Sequence, residues 1–360
     1  MRFALSEDQT LLQDSLKKAL SDLSPLDRVR AFAGDPADGA QDVWQGLADF
    51  GLPGVAVPEE FGGQSLGLLE AALASEALGA VVAPVPFMGV VLAPLALTRG
   101  GSAAQQAEWL PKLASGEVMA AVAISEPIAG AREGAGVTAS GGKLSGKALF
   151  VPGGMAAGLI LVADRDGGLH LVRGDASGLG RSLMPTIDDT RRLAELTFQD
   201  TPAEPLGNGR EVLDRLRDAA WVILAADTLG ACQTMLDKAV AYAKERKQFG
   251  RVIGSYQAVK HLCAEMAAEL EPARSLVWYA AYAFDHAPDE APLMAAHAKA
   301  HTSEIGRFIA RTSTEVHGGI GMTDLLGLHY WFKRIGANRQ LLGGPEKVRE
   351  WAARLQGLAA

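Results

Sequence analysis

Leu11, Leu12, Leu16 and Leu20 recur at helical spacing, preceded by Ser6 with Gln9 three positions on. That is a capping-box start and predicts a helix over 6–22. The same period returns over 41–50 and 68–79. Between these two helices lies GLPGVAVPEEFGGQSLG, whose glycines and prolines predict a loop. A further helix is expected over 103–115, stopping at Gly116. From Glu117 to about Gly207 the helical period disappears. Short apolar runs alternate with turn dipeptides there: VMAAVAI, KLSGKALFV after Gly141-Gly142, LILVAD and LHLV around Asp166-Gly167, then LAELTF. Asp-Gly between two apolar runs is a hairpin signal, and the stretch predicts a small antiparallel β-barrel or sandwich. Beyond Glu211 the pattern is helical to the end, with helices expected at roughly 211–246, 256–286, 290–317 and 345–357. Pro272 should kink or break the second of these. The predicted fold class is thus multidomain α+β. An N-terminal helical domain (1–116) precedes a middle antiparallel β-barrel or sandwich domain (117–207) and a C-terminal four-helix bundle (208–360).

Several chemistries are excluded by what is missing. There is no βαβ alternation and no GxGxxG after a strand, which disfavours a Rossmann dinucleotide fold, and neither a Walker A sequence nor a GxSxG elbow occurs. Composition sharpens this picture. Apolar residues make up 48% and charged residues 21% of the 360, as a core-forming chain requires. With 34 basic and 42 acidic side chains the formal charge is −8, which argues against a nucleic-acid partner. Two cysteines, Cys232 and Cys263, are too few for a disulfide scaffold or a zinc ribbon. Acidic residues interrupt the N-terminal segment where an export signal would be apolar, so a cytoplasmic home is expected. Residues 77–98 carry no charge, long enough to span a bilayer, but Pro84, Pro86 and Pro94 argue for a buried helix end followed by a buried loop. His297, His301 and Glu304 share a helix face, yet the pattern is not HExxH and no metal site is expected.

Several local sequences, in chain order, resemble the acyl-CoA dehydrogenase family of flavoproteins. FGLPGVAVPEEFGG (50–63) looks like the family's N-terminal loop, and Ser125-Glu126-Pro127 like its β-domain entry. AYAKERKQFGRVIGSYQAVKHLCAEMAAEL (241–270) resembles its first bundle-helix signature, with AKAHTSE (298–304) and EVHGGIGMT (315–323) after it. The resemblance implies FAD as cofactor and α,β-desaturation of an acyl-CoA thioester. A carboxylate base takes the α-proton while the β-hydrogen leaves as hydride to the flavin. It also implies a dimer of dimers, in which one subunit's bundle grips the ADP half of a FAD whose flavin lies in its neighbour, and an electron-transfer flavoprotein as acceptor.

Carried over residue by residue, Arg246 and Phe249 match the positions that reach a partner's FAD, and a guanidinium suits a diphosphate because it donates a forked pair of hydrogen bonds. Gln248 and Gln257 belong to the same segment, and Gly318 and Gly319 match a turn where backbone approaches the cofactor. Ser125 and Phe150 would border the flavin. Here the departures begin. The family's Trp-x-Thr/Ser becomes Phe150-Val151-Pro152, and proline has neither hydroxyl nor N–H. Glu315 stands where Gln is common, and Ile128 to Arg132 replaces a small Gly-Ser-Asp stretch. The two positions that carry the base Glu in different members are here Gly343 and Ala220, leaving the catalytic residue unknown. Asp218, Asp227, Asp324 and Glu346 are the nearest carboxylates in sequence.

The asymmetry between an intact partner-facing segment and an altered flavin-and-base segment points to the base-lacking subunit of an α2β2 dehydrogenase acting in fatty-acid or sterol-type catabolism. Two alternatives are a self-sufficient homotetramer with an unusual base and a non-catalytic scaffold that has lost FAD. No nucleic acid, membrane or metal enters any of these.

Overall fold

A computed structural model describes residues 4–359; residues 1–3 and 360, at the outer ends of the expected first and last domains, lie outside it. The chain begins with α1 (Glu7–Leu23), α2 (Leu26–Gly34), α3 (Gln41–Asp49), α4 (Leu68–Ala80), α5 (Phe87–Gly100) and α6 (Ala103–Ala114). The capping box forms as expected: Gln9 N donates to Ser6 Oγ at 3.1 Å and Ser6 N to Gln9 Oε1 at 2.9 Å. The uncharged stretch divides differently from expectation. Its first part is the end of α4, but Phe87–Gly100 is a helix rather than a loop, with Pro94 inside it. Prolines at 84 and 86 bend the chain between the two helices instead of ending helical structure altogether.

Eight strands follow. β1 (Ala120–Ala123), β4 (Leu159–Ala163), β5 (Leu169–Arg173) and β8 (Glu204–Pro205) form one sheet. β2 (Gly136–Ser140), β3 (Lys143–Pro152), β7 (Leu193–Pro202) and β6 (Leu179–Met184) form the other. The architecture is a sandwich rather than a closed barrel. Ile160 and Val162 face the second sheet, while Leu159, Leu161 and Ala163 face the helices, so β4 is apolar on both faces and reads as a continuous run. The hairpin at Asp166-Gly167 forms as predicted, and the turn at Gly141-Gly142 joins β2 to β3 in a second one. The all-antiparallel expectation needs one correction: β1 pairs parallel to β4, because the β2–β3 hairpin is inserted between them. A short helix, α7 (Ser125–Ala129), was not foreseen in this region.

The C-terminal region holds α8 (Gly209–Glu245), a small hairpin of β9 (Lys247–Gln248) and β10 (Arg251–Val252), α9 (Gln257–His286), α10 (Ala291–His317), α11 (Leu328–Gln340) and α12 (Pro345–Leu355). The first three helices match their expected spans closely, but α9 runs unbroken through Pro272. Pro272 and Ala268, whose carbonyl loses its partner, are both exposed, so water can take that bond. The fourth bundle position is filled by α11 and α12 together; α11 escaped the reading because its buried face carries Arg334 and Asn338 among the apolar residues. α8, 37 residues and about 55 Å long, is the central post. It is also the one helix among the described residues long and apolar enough to cross a membrane, yet most of it is buried inside the fold. α4 crosses it in close contact. A Cβ on Gly79 would stand 2.0 Å from the Asp227 carbonyl oxygen, and one on Gly230 1.8 Å from that of Glu76, so only glycine permits this crossing.

Candidate functional site

The candidate residues fall into two places. The first is the surface where α8 ends. Arg246 closes the helix, its N–H bonded to Tyr242 O at 2.8 Å, and the chain turns back through β9 and β10. Phe249 and Gly250 form the turn with φ of +51° and +81°, the left-handed pair of a type I′ hairpin. A bulky side chain in that conformation is strained by about 1–2 kcal/mol. Phe249 is nonetheless 94% exposed, so nothing within the chain compensates it. Arg246, Gln248 and Gln257 are also exposed. Tyr256 Oη donates to Gln248 O at 3.1 Å and carries the Arg251 guanidinium on its ring at 4.0 Å, which fixes the hairpin against the start of α9.

Gly318 and Gly319 come to the same end of the molecule. His317 stacks on Tyr242 with ring centroids 4.8 Å apart and holds the Ser313 carbonyl through Nδ1 at 2.7 Å. Burial pulls its pKa below the usual histidine value, favouring the neutral ring. Gly318 has φ +65°, and a Cβ on either glycine would meet nothing within 4 Å. The glycines therefore leave free space at the surface and do not serve internal packing.

The second place is inside, where the sandwich meets α8 and α11. A cleft of about 230 Å³ is lined by Ser125, Glu126, Arg132, Phe150, Gln340 and Leu342, so Ser125 and Phe150 are brought together. Phe150 sits at φ +56° where β3 slips register between Ala148 and Val151, and Arg132 lies 4.2 Å over its ring. Glu126 Oε1 accepts Leu149 N–H at 2.8 Å, and burial raises its pKa. Pro152 faces a separate cavity of about 360 Å³, whose walls include Val85, Met88, Ile223 and Leu224. Neither cavity is lined by any residue of the surface hairpin.

The two positions where a base would be expected are linked through a hydrogen bond between their chain neighbours. Ala220 is fully buried on α8, and the next residue, Trp221, donates its indole N–H to Leu342 O at 2.9 Å, just before Gly343. Leu342 and Gly343 have φ of +58° and +105°. At +105° the backbone is one that side-chain-bearing residues rarely adopt, so the turn itself, and not only its sequence, departs from one that could present a glutamate.

None of the four nearby carboxylates is a free base. Asp218 is buried against Arg217 at 2.9 Å, with burial pushing its pKa up to about 6. Asp227 does line the larger cavity, but Arg334 grips both its oxygens at 3.0 and 2.6 Å and Asn338 adds a bond at 2.6 Å. Burial alone would raise its pKa; the Arg334 charge overrides that and holds it low, leaving little basicity. Asp324 pairs with His329 at 2.7 Å and Glu346 with Arg339 at 3.0 Å, both exposed.

Sequence reasoning missed the polar links behind the cavities. Arg191 bridges Asp188 and Asn338, and Lys299, fully buried, donates to the carbonyls of Asn338 and Arg339 at the end of α11. Burial and the nearby Arg191 and Arg339 pull Lys299 down to about 7. These residues sit in no recognisable spacing; the only local signal was a pair of cations in a β-region loop (Arg191-Arg192).

Two family profiles match the chain: acyl-CoA dehydrogenase, N-terminal domain, over residues 6–117, and acyl-CoA dehydrogenase, C-terminal domain, over residues 208–354. The chain is similar to the acyl-CoA dehydrogenase IpdE2 of Mycolicibacterium smegmatis, with 31% identity over 353 residues, 98% of this chain and 99% of the relative. Among solved structures it is similar to a variant of the Tcur3481-Tcur3483 steroid ACAD (32% identity, 98% of each chain, TM-score 0.88). It is also similar to a chain of the ChsE4-ChsE5 complex from Mycobacterium tuberculosis (26% identity, 100% of each chain, TM-score 0.91).

Proposed function

The chain belongs to the acyl-CoA dehydrogenase family of oxidoreductases, and we propose that within it this protein is the base-lacking subunit of a heteromeric enzyme that desaturates an acyl-CoA in fatty-acid or sterol-type catabolism. The observation that carries this reading is the left-handed Leu342–Gly343 turn beside buried Ala220, which leaves both base positions without a carboxylate.

FAD is the cofactor of this family, and it supplies the hydride-accepting chemistry when bound. The surface hairpin suits it: Arg246, Gln248, Phe249 and Gln257 present an exposed cation, two amides and an aromatic face, and Gly318 and Gly319 leave open room. These are groups that hold a diphosphate and an adenine offered by another subunit. The inner cleft suits the flavin less well. Ser125 and Phe150 line it, but Pro152 contributes no donor and turns to the other cavity. In this reading the chain grips a partner's cofactor, and proton abstraction belongs to a homologous subunit carrying the glutamate. The two-chain names of both structural neighbours support that assembly. An electron-transfer flavoprotein as acceptor and a cytoplasmic location go with it. So does a three-part division at 1–116, 117–207 and 208–360, which the change of element type near Gly116 and Gly207 supports. A self-sufficient enzyme would need an unusual base, and Asp227, the one of the four weighed carboxylates that lines the larger cavity, is already held by Arg334 and Asn338.

The test is purification of the chain alone and together with a homologous subunit that carries the glutamate, with flavin absorbance and acyl-CoA turnover measured on each. Turnover only in the mixed assembly is expected; full flavin occupancy with turnover by the lone chain would overturn the assignment.

A further inference from the structure

The cleft beside Ser125 and Phe150 is partly filled by the chain's own side chains. Phe150 sits at φ +56°, where β3 slips register against β7, and its half-buried ring forms part of the cleft wall. The Arg132 guanidinium lies 4.2 Å over that ring, and Arg132 is itself exposed, so it covers the aromatic face from the solvent side. Glu126 joins the pair. Burial raises its pKa, and the charge of nearby Arg132 acts against that.

Each of these contacts uses something that a planar heteroaromatic ring would need. A flavin requires a flat slot and hydrogen-bond donors along its nitrogen- and oxygen-bearing edge. The Leu149 N–H goes to Glu126 Oε1 at 2.8 Å and the Phe150 N–H to Met184 Sδ at 3.2 Å, while Pro152 has no N–H and lines the other cavity. One face of the Phe150 ring is already taken by Arg132. The space that remains, about 230 Å³, is below the roughly 300–1,000 Å³ of pockets that enclose drug-sized ligands. The left-handed backbone at Phe150 is one that glycine adopts without strain and phenylalanine does not.

We propose that Arg132 and Phe150 form an internal plug that closes this chain's own cleft to a flavin ring. The plug deepens the base-lacking reading and rests on it, because a closed cleft is compatible with function only where the flavin lies in the other subunit. It makes the two altered segments, Ile128 to Arg132 and Phe150 to Pro152, halves of one device rather than two separate losses.

Equilibrium dialysis of the full chain against riboflavin tests this, since riboflavin carries the flavin ring without the diphosphate and adenine that the surface hairpin would hold. The parent should bind it weakly. Arg132→Ser should raise the affinity about threefold or more, the size of one exposed cation–π contact. Arg132→Ser combined with Phe150→Gly, which also removes the ring and its strain, should raise it about tenfold or more. A parent that binds riboflavin as tightly as the double variant, or a double variant within about twofold of the parent, would overturn the plug. Acyl-CoA turnover, measured on the same samples, separates the two claims. Turnover by the lone parent with full flavin overturns the base-lacking reading and the plug together; unchanged riboflavin affinity in the variants, without turnover by the parent, overturns the plug alone. Arg132 is exposed, so Arg132→Ser keeps the fold. If the double variant does not fold, the single one decides, and a gain below about twofold then counts against the plug.

Discussion

The end of α8 and the turn beside its first half use the same kind of backbone for opposite purposes. At the hairpin, a left-handed Phe249 pushes an aromatic ring into solvent, where it is 94% exposed. At the inner turn, left-handed Leu342 and Gly343 draw the chain inward, and Trp221 ties it down through Leu342 O. Strain at the first place gains nothing within the chain, and in the proposed function its use lies in another molecule. Strain at the second is accompanied by internal packing, and the backbone at Gly343 has a φ that side-chain-bearing residues rarely adopt. If the proposed function holds, the chain keeps the surface that assembles a cofactor site while its own proton-transfer site becomes ordinary core.

Substitutions that exploit this contrast span a range of effects. The largest are expected in the core. Trp221→Ala removes a buried indole together with its bond to Leu342 O and should cost about 3–5 kcal/mol in urea unfolding. Arg334→Ala strands buried Asp227 and should cost a similar amount, about 3–5 kcal/mol. A loss below about 1 kcal/mol for either would mean that the inner region is not the rigid wall described. Next in size is Gly343→Glu. A Cβ there would meet Val348 Cγ2 at 3.7 Å, an ordinary contact, so space is available but φ +105° is not. The expected result is a loss of about 1–3 kcal/mol and no turnover by the lone chain. Recovered turnover would show that the turn can still present a base.

At the hairpin the signs reverse. Arg246→Ala should leave unfolding within about 0.5 kcal/mol of the parent, because the side chain is exposed. It should lower flavin retention in the mixed assembly about tenfold, read by dilution and absorbance. Phe249→Ala should do the same more weakly.

Lys299 gives a pH signature to the inner region. Its folded pKa of about 7 lies below the unfolded 10.5, so between these values the unfolded chain binds the extra proton. Stability contributed by this group should therefore rise as pH increases from about 7 towards 10.5, and the penalty of the buried charge is fully present below the folded value. Lys299→Met should flatten that slope in unfolding measurements; an unchanged slope would mean that the lysine is not the titrating group.

Much of this was legible in the sequence because it is periodic or contiguous. The Ser6–Gln9 cap, the Asp166-Gly167 hairpin and the long bundle helices each follow from local spacing. The hairpin residues 246–257 lie in one unbroken run, so a resemblance could be carried over position by position. What escaped was non-local. α11 was obscured because Arg334 and Asn338 face its core side, and their reason for being there, Asp227, lies 107 and 111 residues away. The parallel β1–β4 pair joins segments on either side of an inserted hairpin. Arg192 had no visible role until Phe32, from the first helical region, was seen beneath it. The absence of a carboxylate at the two expected positions was readable as Gly343 and Ala220, but the turn's left-handed geometry was not, because residue identity alone does not give φ.

Counting flavins in the purified mixed assembly tests the central contrast most directly. If this chain supplies the cofactor grip while its own inner site is closed, there should be one flavin per pair of unlike subunits, and Arg246→Ala in this chain should lower that count. One flavin per subunit, unaffected by Arg246→Ala, would contradict it.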